Sequence, residues 1–481
     1  MSFTTSRFIS RWLAVALVLV GLGWATADAH AVRRVQAPRG RATGKPFRHG
    51  TRTRRVAPGR RNVLARRPAR RPARPRLRRV SDLWSPEMLR AARTDDGRMD
   101  PAGQAALLAA IPEVSGVHQL AREWLPDVGR VVELKKNGVN TGHIGAIYRV
   151  FDRKGRGVAY LKTFPRNEKV VVDFSFDAAM EVSSMSRLGE GDLAGYFPTI
   201  DLIGAGKVID GDTTNYILVT RAGPPQTLDD LIVKAARSDS AQTRRRLERR
   251  IDGAIDTIAR NLAHLHLRSP RSGKPVARSW LTSRHSGAMR HFARRLEEAF
   301  TETSPITSSQ ALDALGFESW DAFHAAIERV IERGEAQIAP GTIVMGDSNP
   351  GNHAVSRRGK VKHLDLNEVH FSFDRDGKGI GSPSRDVGQL SVLLETTGVE
   401  AGMSRDDARK MRLRFERAYA RARGKEARAE VRTNDFFSLR TSLRTLFLYD
   451  LQADKLTPGQ RPLAMHRLHL LGEILARADS R

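Results

Sequence analysis

Hydrophobic and polar positions divide the chain into blocks of different period. An apolar run from Trp12 to Ala27 stands behind two arginines, Arg7 and Arg11, and residues 32–80 then hold too few large apolar residues for a core. Helical spacing appears over 81–128, with Ala105–Ile111 and Val117–Leu125 as its clearest apolar stretches. From Val131 the period shortens. Val131–Leu134, Ala146–Phe151 and Val158–Phe164 are separated by Gly-bearing or polar turns, which predicts a series of hairpins. A helix is predicted at about Phe176–Leu188, then a strand pair, Lys207–Ile209 and Tyr216–Thr220, around Asp210-Gly211. From Thr227 to about Ile338 the spacing is helical. Two short strands, Thr342–Val344 and Val361–Leu364, flank an irregular loop, and helices resume from about Asp386. The chain shows no internal repeat. A strand-rich part followed by a helix-rich part predicts an α+β chain of two lobes. These are a helical extension at 81–130, a small antiparallel-sheet lobe at 131–223 and a helical lobe at 224–481.

Charge changes the picture at one end only. Of the net +28, residues 32–80 supply 19 and the first 31 residues one more, which leaves +8 for the other 401. The Arg/Pro-rich segment 32–80 is expected to be disordered. It reads equally as a solvated linker or as an arm for an anionic polymer or membrane surface. Ahead of it, the basic start, the apolar run and Ala29-His30-Ala31 predict a signal peptide over residues 1–31 and export. The rival reading is an uncleaved anchor, with the six basic residues between Arg33 and Arg48 holding the remainder in the cytoplasm. The absence of cysteine excludes disulfides, thiolate nucleophiles and cysteine-ligated zinc.

Candidate chemistry gathers in Met345-Gly346-Asp347-Ser348-Asn349-Pro350-Gly351-Asn352. Two glycines and a proline force a loop after an apolar strand. A carboxylate at Asp347 suits accepting or orienting a hydroxyl proton, and the Asn352 amide oxygen suits a magnesium ion. Asp365, at the end of the second strand, adds a hard anionic ligand.

The pattern Gly346-Asp347-x-x-Pro350-x-Asn352, followed by His363-Leu364-Asp365-Leu366-Asn367-Glu368, resembles the aminoglycoside phosphotransferase and choline kinase superfamily. The resemblance covers roughly residues 131–400. It implies a protein-kinase-like fold and transfer of a phosphoryl group from ATP to the hydroxyl of a small-molecule or protein acceptor. It makes Asp347 the catalytic base, and Asn352 and Asp365 the Mg²⁺ ligands. Asp386, in Ser384-Arg385-Asp386-Val387-Gly388, would steady the catalytic loop. One position departs: Met345 stands where the family usually has a histidine that helps hold the loop.

The same resemblance implies a lysine on the third strand for the α- and β-phosphates, and Lys162 fills that place. Its partner should be a glutamate on the next helix. Glu181 lies beside the stripe Ala178, Val182, Met185 and is preferred to Glu168 or Glu190, which flank the helix. Gly138, Gly142 and Gly145, between the first two strands, are candidates for covering the phosphates. Backbone near Val219–Arg221 is the expected adenine site. Three features are discounted. His264 and His266 read as core residues of a helix, Asp374–Gly379 as a polar turn without the later ligands of a calcium loop, and Asp406–Arg432 as a solvated surface helix.

Two alternatives stay open. One is a pseudokinase, a nucleotide-binding or scaffolding module with little transfer activity. The other is a polyanion-binding protein acting through its basic arm. Segments 270–300 and 405–432 are net basic, which leans toward a neutral or anionic acceptor, or a protein.

Overall fold

The computed structural model describes residues 83–480 apart from 96–97, 135–145, 168–177, 190–192, 212, 273–277, 302–303, 338–340, 430 and 448–459. The signal-peptide and basic-arm expectations therefore lie outside the described residues. Three helices open the described chain: α1 (Pro86–Ala91), α2 (Pro101–Ala109) and α3 (Val117–Trp124). Ser85 and Asp100 cap the first two through their side chains, each followed by a proline that needs no N–H partner.

Five strands follow: β1 (Val128–Glu133), β2 (Ile147–Asp152), β3 (Gly157–Asn167), β4 (Leu202–Asp210) and β5 (Thr213–Arg221). They form one antiparallel sheet in the order β1-β2-β3-β5-β4. The helix α4 (Ala178–Gly189) and a single turn, α5 (Leu193–Tyr196), lie between β3 and β4. Alternation along β5 shows how the sheet is covered. Ile217 and Val219 join a core with Leu120 and Trp124 of α3, while Tyr216 and Leu218 join one with Ala178 and Val182 of α4. The helical extension is thus part of the small lobe. Its fit is close: a Cβ on Gly204 would lie 2.2 Å from the Trp124 ring.

The large lobe begins with α6 (Leu228–Ala236), set by a Thr227–Asp230 capping box, and α7 (Ala241–Arg268). Next come α8 (Arg278–Ala299), α9 (Ser308–Leu315) and α10 (Trp320–Gln337). A two-stranded sheet of β6 (His353–Val355) and β7 (Val361–His363) carries the central loop. The lobe closes with α11 (Ser384–Glu400), α12 (Arg405–Arg423), α13 (Glu426–Ala429), α14 (Val431–Thr445) and α15 (Arg461–Asp479). One core joins α6, α7, α11 and α12 to the central loop; a second joins α8, α9, α10, α14 and α15. Among the described residues, no helix is long and apolar enough to cross a membrane.

Two expectations are corrected. Thr342–Val344 is not a strand: Thr342 makes an isolated bridge to Gly381, and the partner of β7 is β6, which follows the loop. Nor is 406–432 a single surface helix. The chain turns at Gly424 (φ 71°), and α12 buries Met411, Phe415 and Tyr419 against α7, with Arg412 paired to Glu395. Boundaries also move, since β1 starts at Val128 and β4 at Leu202.

Candidate active site

Period-two alternation on β3 sends Leu161 to one face and Lys162 to the other, where α4 lies. Lys162 Nζ donates to Glu181 Oε2 at 2.8 Å and to Asp365 Oδ1 at 2.9 Å. Burial works against the ammonium, but the Asp365 and Glu181 carboxylates outweigh it and hold Lys162 above the ordinary lysine range. Burial pushes the Glu181 carboxyl up, while Lys162 pulls it back and Asp365 adds to the push. One cation thus bridges two carboxylates from separate elements. Asp365 sits in the left-handed backbone region (φ 50°), which aspartate tolerates better than most residues.

The central loop is built from backbone held by side chains. Asp386, fully buried at the first turn of α11, accepts from the Met345 N–H at 2.8 Å and the Gly346 N–H at 2.7 Å. Its Oδ2 also lies 3.0 Å from His266 Nε2, and His266 Nδ1 is 2.8 Å from the Tyr419 hydroxyl. His266 is therefore a core histidine supporting the loop, as expected, and Asp386 is structural. Gly346 has φ 81°, and a Cβ there would stand 2.7 Å from Glu368 Cβ, so only glycine fits. Met345 explains itself in this setting. The loop is anchored through the N–H of residue 345, and its side chain packs into the α7–α11 core.

Asp347 accepts from three amides. Gln389 Nε2 reaches Oδ1 at 2.8 Å, and Asn349 Nδ2 and Asn352 Nδ2 reach Oδ2 at 3.1 and 3.0 Å. The Asn352 amide nitrogen also donates to the Asp347 carbonyl, so Oδ1 is the atom of this side chain that could hold a metal ion. The Leu364 N–H donates to the Asn352 carbonyl at 2.8 Å and brings Asn352 beside Asp365. One neutral and one anionic hard oxygen suit Mg²⁺, which takes few protein ligands and completes its shell with phosphate and water. Among the described residues no cluster of three or more His, Cys, Asp or Glu could hold a metal.

Sequence reasoning missed several supports. Gln389 lies one helical turn after Asp386, the only local sign that both face the loop. Glu368 is buried and paired with Arg385. Burial raises it, Arg385 pulls it down and Asp347 pushes it up again, leaving it at about 7. Beneath the loop, His353 Nδ1 and His363 Nδ1 are 3.0 Å apart, and Phe197 stacks on His363 at 3.9 Å.

Both imidazoles are fully buried. Burial depresses His353 to about 3, against a weak opposing pull from Asp386; burial, then His353, puts His363 well below its usual value. The folded protein keeps them neutral, whereas unfolded histidines take up protons below about pH 6.5. Stability should therefore fall as pH drops through that value, by about 2 kcal/mol at pH 5 from His353 alone. Urea unfolding at pH 7 and pH 5 checks this, and His353→Asn should flatten the difference. Equal slopes in both proteins would sink the assignment.

Other expectations fare differently. Gly138, Gly142 and Gly145 lie outside the described residues, as do Glu168 and Glu190. The backbone of Val219 and Arg221 is engaged in strand pairing: Val219 pairs with Leu161, and the Arg221 N–H donates to the Asp201 carbonyl. The chain leaves the sheet after Ala222, whose N–H donates to Val158. Asp374 forms a polar turn, its Oδ1 accepting from the Asp376 and Lys378 N–H groups.

No family model and no curated protein matches the chain. Among solved structures, an aminoglycoside phosphotransferase from Alicyclobacillus acidocaldarius is similar, at 14% identity and TM-score 0.42, over 77% of this chain and 96% of that one. An ethanolamine kinase from Plasmodium vivax is similar at 12% identity and TM-score 0.38, over 73% and 82%. A choline kinase from Streptococcus pneumoniae is similar at 14% and 0.37, over 75% and 97%. Within this chain, Lys162 on the third strand, Glu181 on the next helix, the Asp347–Asn352 loop and Asp365 stand in order across two lobes, and that arrangement is a protein-kinase-like fold.

Proposed function

We propose that the protein is a phosphotransferase that moves the γ-phosphoryl group of Mg·ATP to a hydroxyl acceptor. The observation that carries this reading is Lys162 held between Glu181 and Asp365, three residues drawn from three elements onto one point. Glu181 fixes the ammonium where it can meet nucleotide phosphates. Asn352 and Asp365 would hold Mg²⁺, which neutralises phosphate oxygens. Asp347 orients the acceptor hydroxyl and takes its proton as the new O–P bond forms, its carboxylate fixed by three amide donors. Adenine would be read by backbone where the chain leaves β5.

Nucleotide binding by the full-length chain tests the reading. The basic arm attracts ATP through charge alone, so the comparison is with variants that leave the arm intact. Lys162→Met and Asp365→Asn should each weaken Mg·ATP binding about tenfold or more, since each removes a charge that faces phosphate or metal. Calorimetry giving the same affinity for all three proteins would exclude a nucleotide site here.

A further inference from the structure

Arg93 follows α1 in the helical extension and is 3% exposed. A buried guanidinium is costly unless its donors are used, and here they are used on two other elements. Nε and Nη2 donate to Ser183 Oγ at 3.1 and 2.8 Å. Nη1 donates to the carbonyls of His370 and Phe373, and Cζ lies 3.5 Å over the Phe373 ring. Burial lowers Arg93 to about 9, with Asp374 opposing, so it remains a cation at neutral pH.

The two elements it joins matter. Ser183 is on α4, two residues from Glu181 and on another side of the helix. His370 and Phe373 lie on the segment that leaves Asp365. A second link has the same sense, since Arg187 Nε donates from α4 to the Gly377 carbonyl at 2.8 Å. The extension is itself fixed to the sheet: the Val114 N–H donates to Lys207, and the Lys207 N–H to Pro112. Arg93 is therefore a short, rigid strut from a fixed base. Its planar fork reaches both partners at once, which a lysine cannot do.

We propose that the helical extension is a built-in clamp. Through Arg93 it holds the Glu181 helix and the segment after Asp365 in the arrangement that receives the nucleotide, which makes Arg93 a positioning residue for Lys162, Glu181 and Asp365. This rests on the nucleotide-binding reading above.

Ser183→Ala is the mild test in the full-length chain, because it removes the acceptor on α4 and leaves Arg93 with its two carbonyls. It should weaken Mg·ATP binding about three- to tenfold and speed amide exchange in residues 178–189, but not in α7. Arg93→Lys should do the same. In a Glu181→Gln background the Ser183→Ala effect on affinity should largely vanish, because the clamp acts through Glu181. A purely structural serine would instead give additive losses, and that result overturns the clamp. So does unchanged affinity and exchange in both single variants of a chain whose wild-type binding depends on Asp365. Loss of that Asp365 dependence would bring down the nucleotide reading and the clamp together.

Discussion

Asp347→Asn is expected to lower phosphoryl transfer from Mg·ATP by about 10²–10⁴-fold, the usual contribution of a positioned general base. Nucleotide affinity should stay close to wild type, because Lys162, Glu181, Asn352 and Asp365 keep their places. The change should also fold well. The new amide keeps one oxygen, which satisfies Asn349 and Asn352 where Oδ2 now does. Its NH₂ would then face Gln389, whose Oε1 is buried with no hydrogen-bond partner among the described residues. Rotation of the Gln389 amide turns that oxygen toward the new donor and makes the bond in the opposite sense. Loss of transfer would therefore report chemistry rather than unfolding. ADP formation across a set of hydroxylated acceptors, with melting curves of the same samples, gives the answer. Transfer at the wild-type rate would remove Asp347 as the base.

The residues proposed for nucleotide and metal were legible because their signal is local. Asp347, Asn352 and Asp365 lie within one loop and one hairpin, where glycine and proline leave few foldable alternatives. Lys162 and Glu181 were named from the family resemblance, and the strand and helix periods only placed them. The supports were not legible, because their meaning is made by distant chain. Arg93 stands near Arg90 and Arg98 and reads like them; only partners 90 and 277 residues away distinguish it. His353 and His363 carry no sign of burial until the two rings meet and Phe197 stacks on His363.

The misread strand has a specific cause. Thr342–Val344 is β-branched throughout, so strand was the natural reading. In the fold, side chains take the backbone groups that a neighbouring strand would have taken. The Val344 N–H donates to Ser372 Oγ at 3.0 Å, and the next two N–H groups go to Asp386. At Met345 the loop is anchored in the same way, through its backbone N–H.

That dependence makes Asp386→Ala the variant with the largest expected effect on the fold. The carboxylate is fully buried and satisfies two backbone N–H groups and the His266 imidazole. Removing it leaves three buried polar groups without their acceptor, which should cost about 3–5 kcal/mol and shift the urea midpoint accordingly. Asp386→Asn retains one acceptor oxygen but sets an NH₂ against a backbone donor, so it should fall between wild type and alanine. Activity should suffer beyond the loss of folded protein. Gly346 and Asp347 are adjacent, and a loop displaced by about 1 Å can cost about 10²-fold in rate. Lys162, Glu181 and Asp365 have no bond to Asp386, so Mg·ATP affinity of the folded fraction should change far less than turnover. Equal losses of affinity and turnover would mean that Asp386 supports the whole lobe rather than the loop.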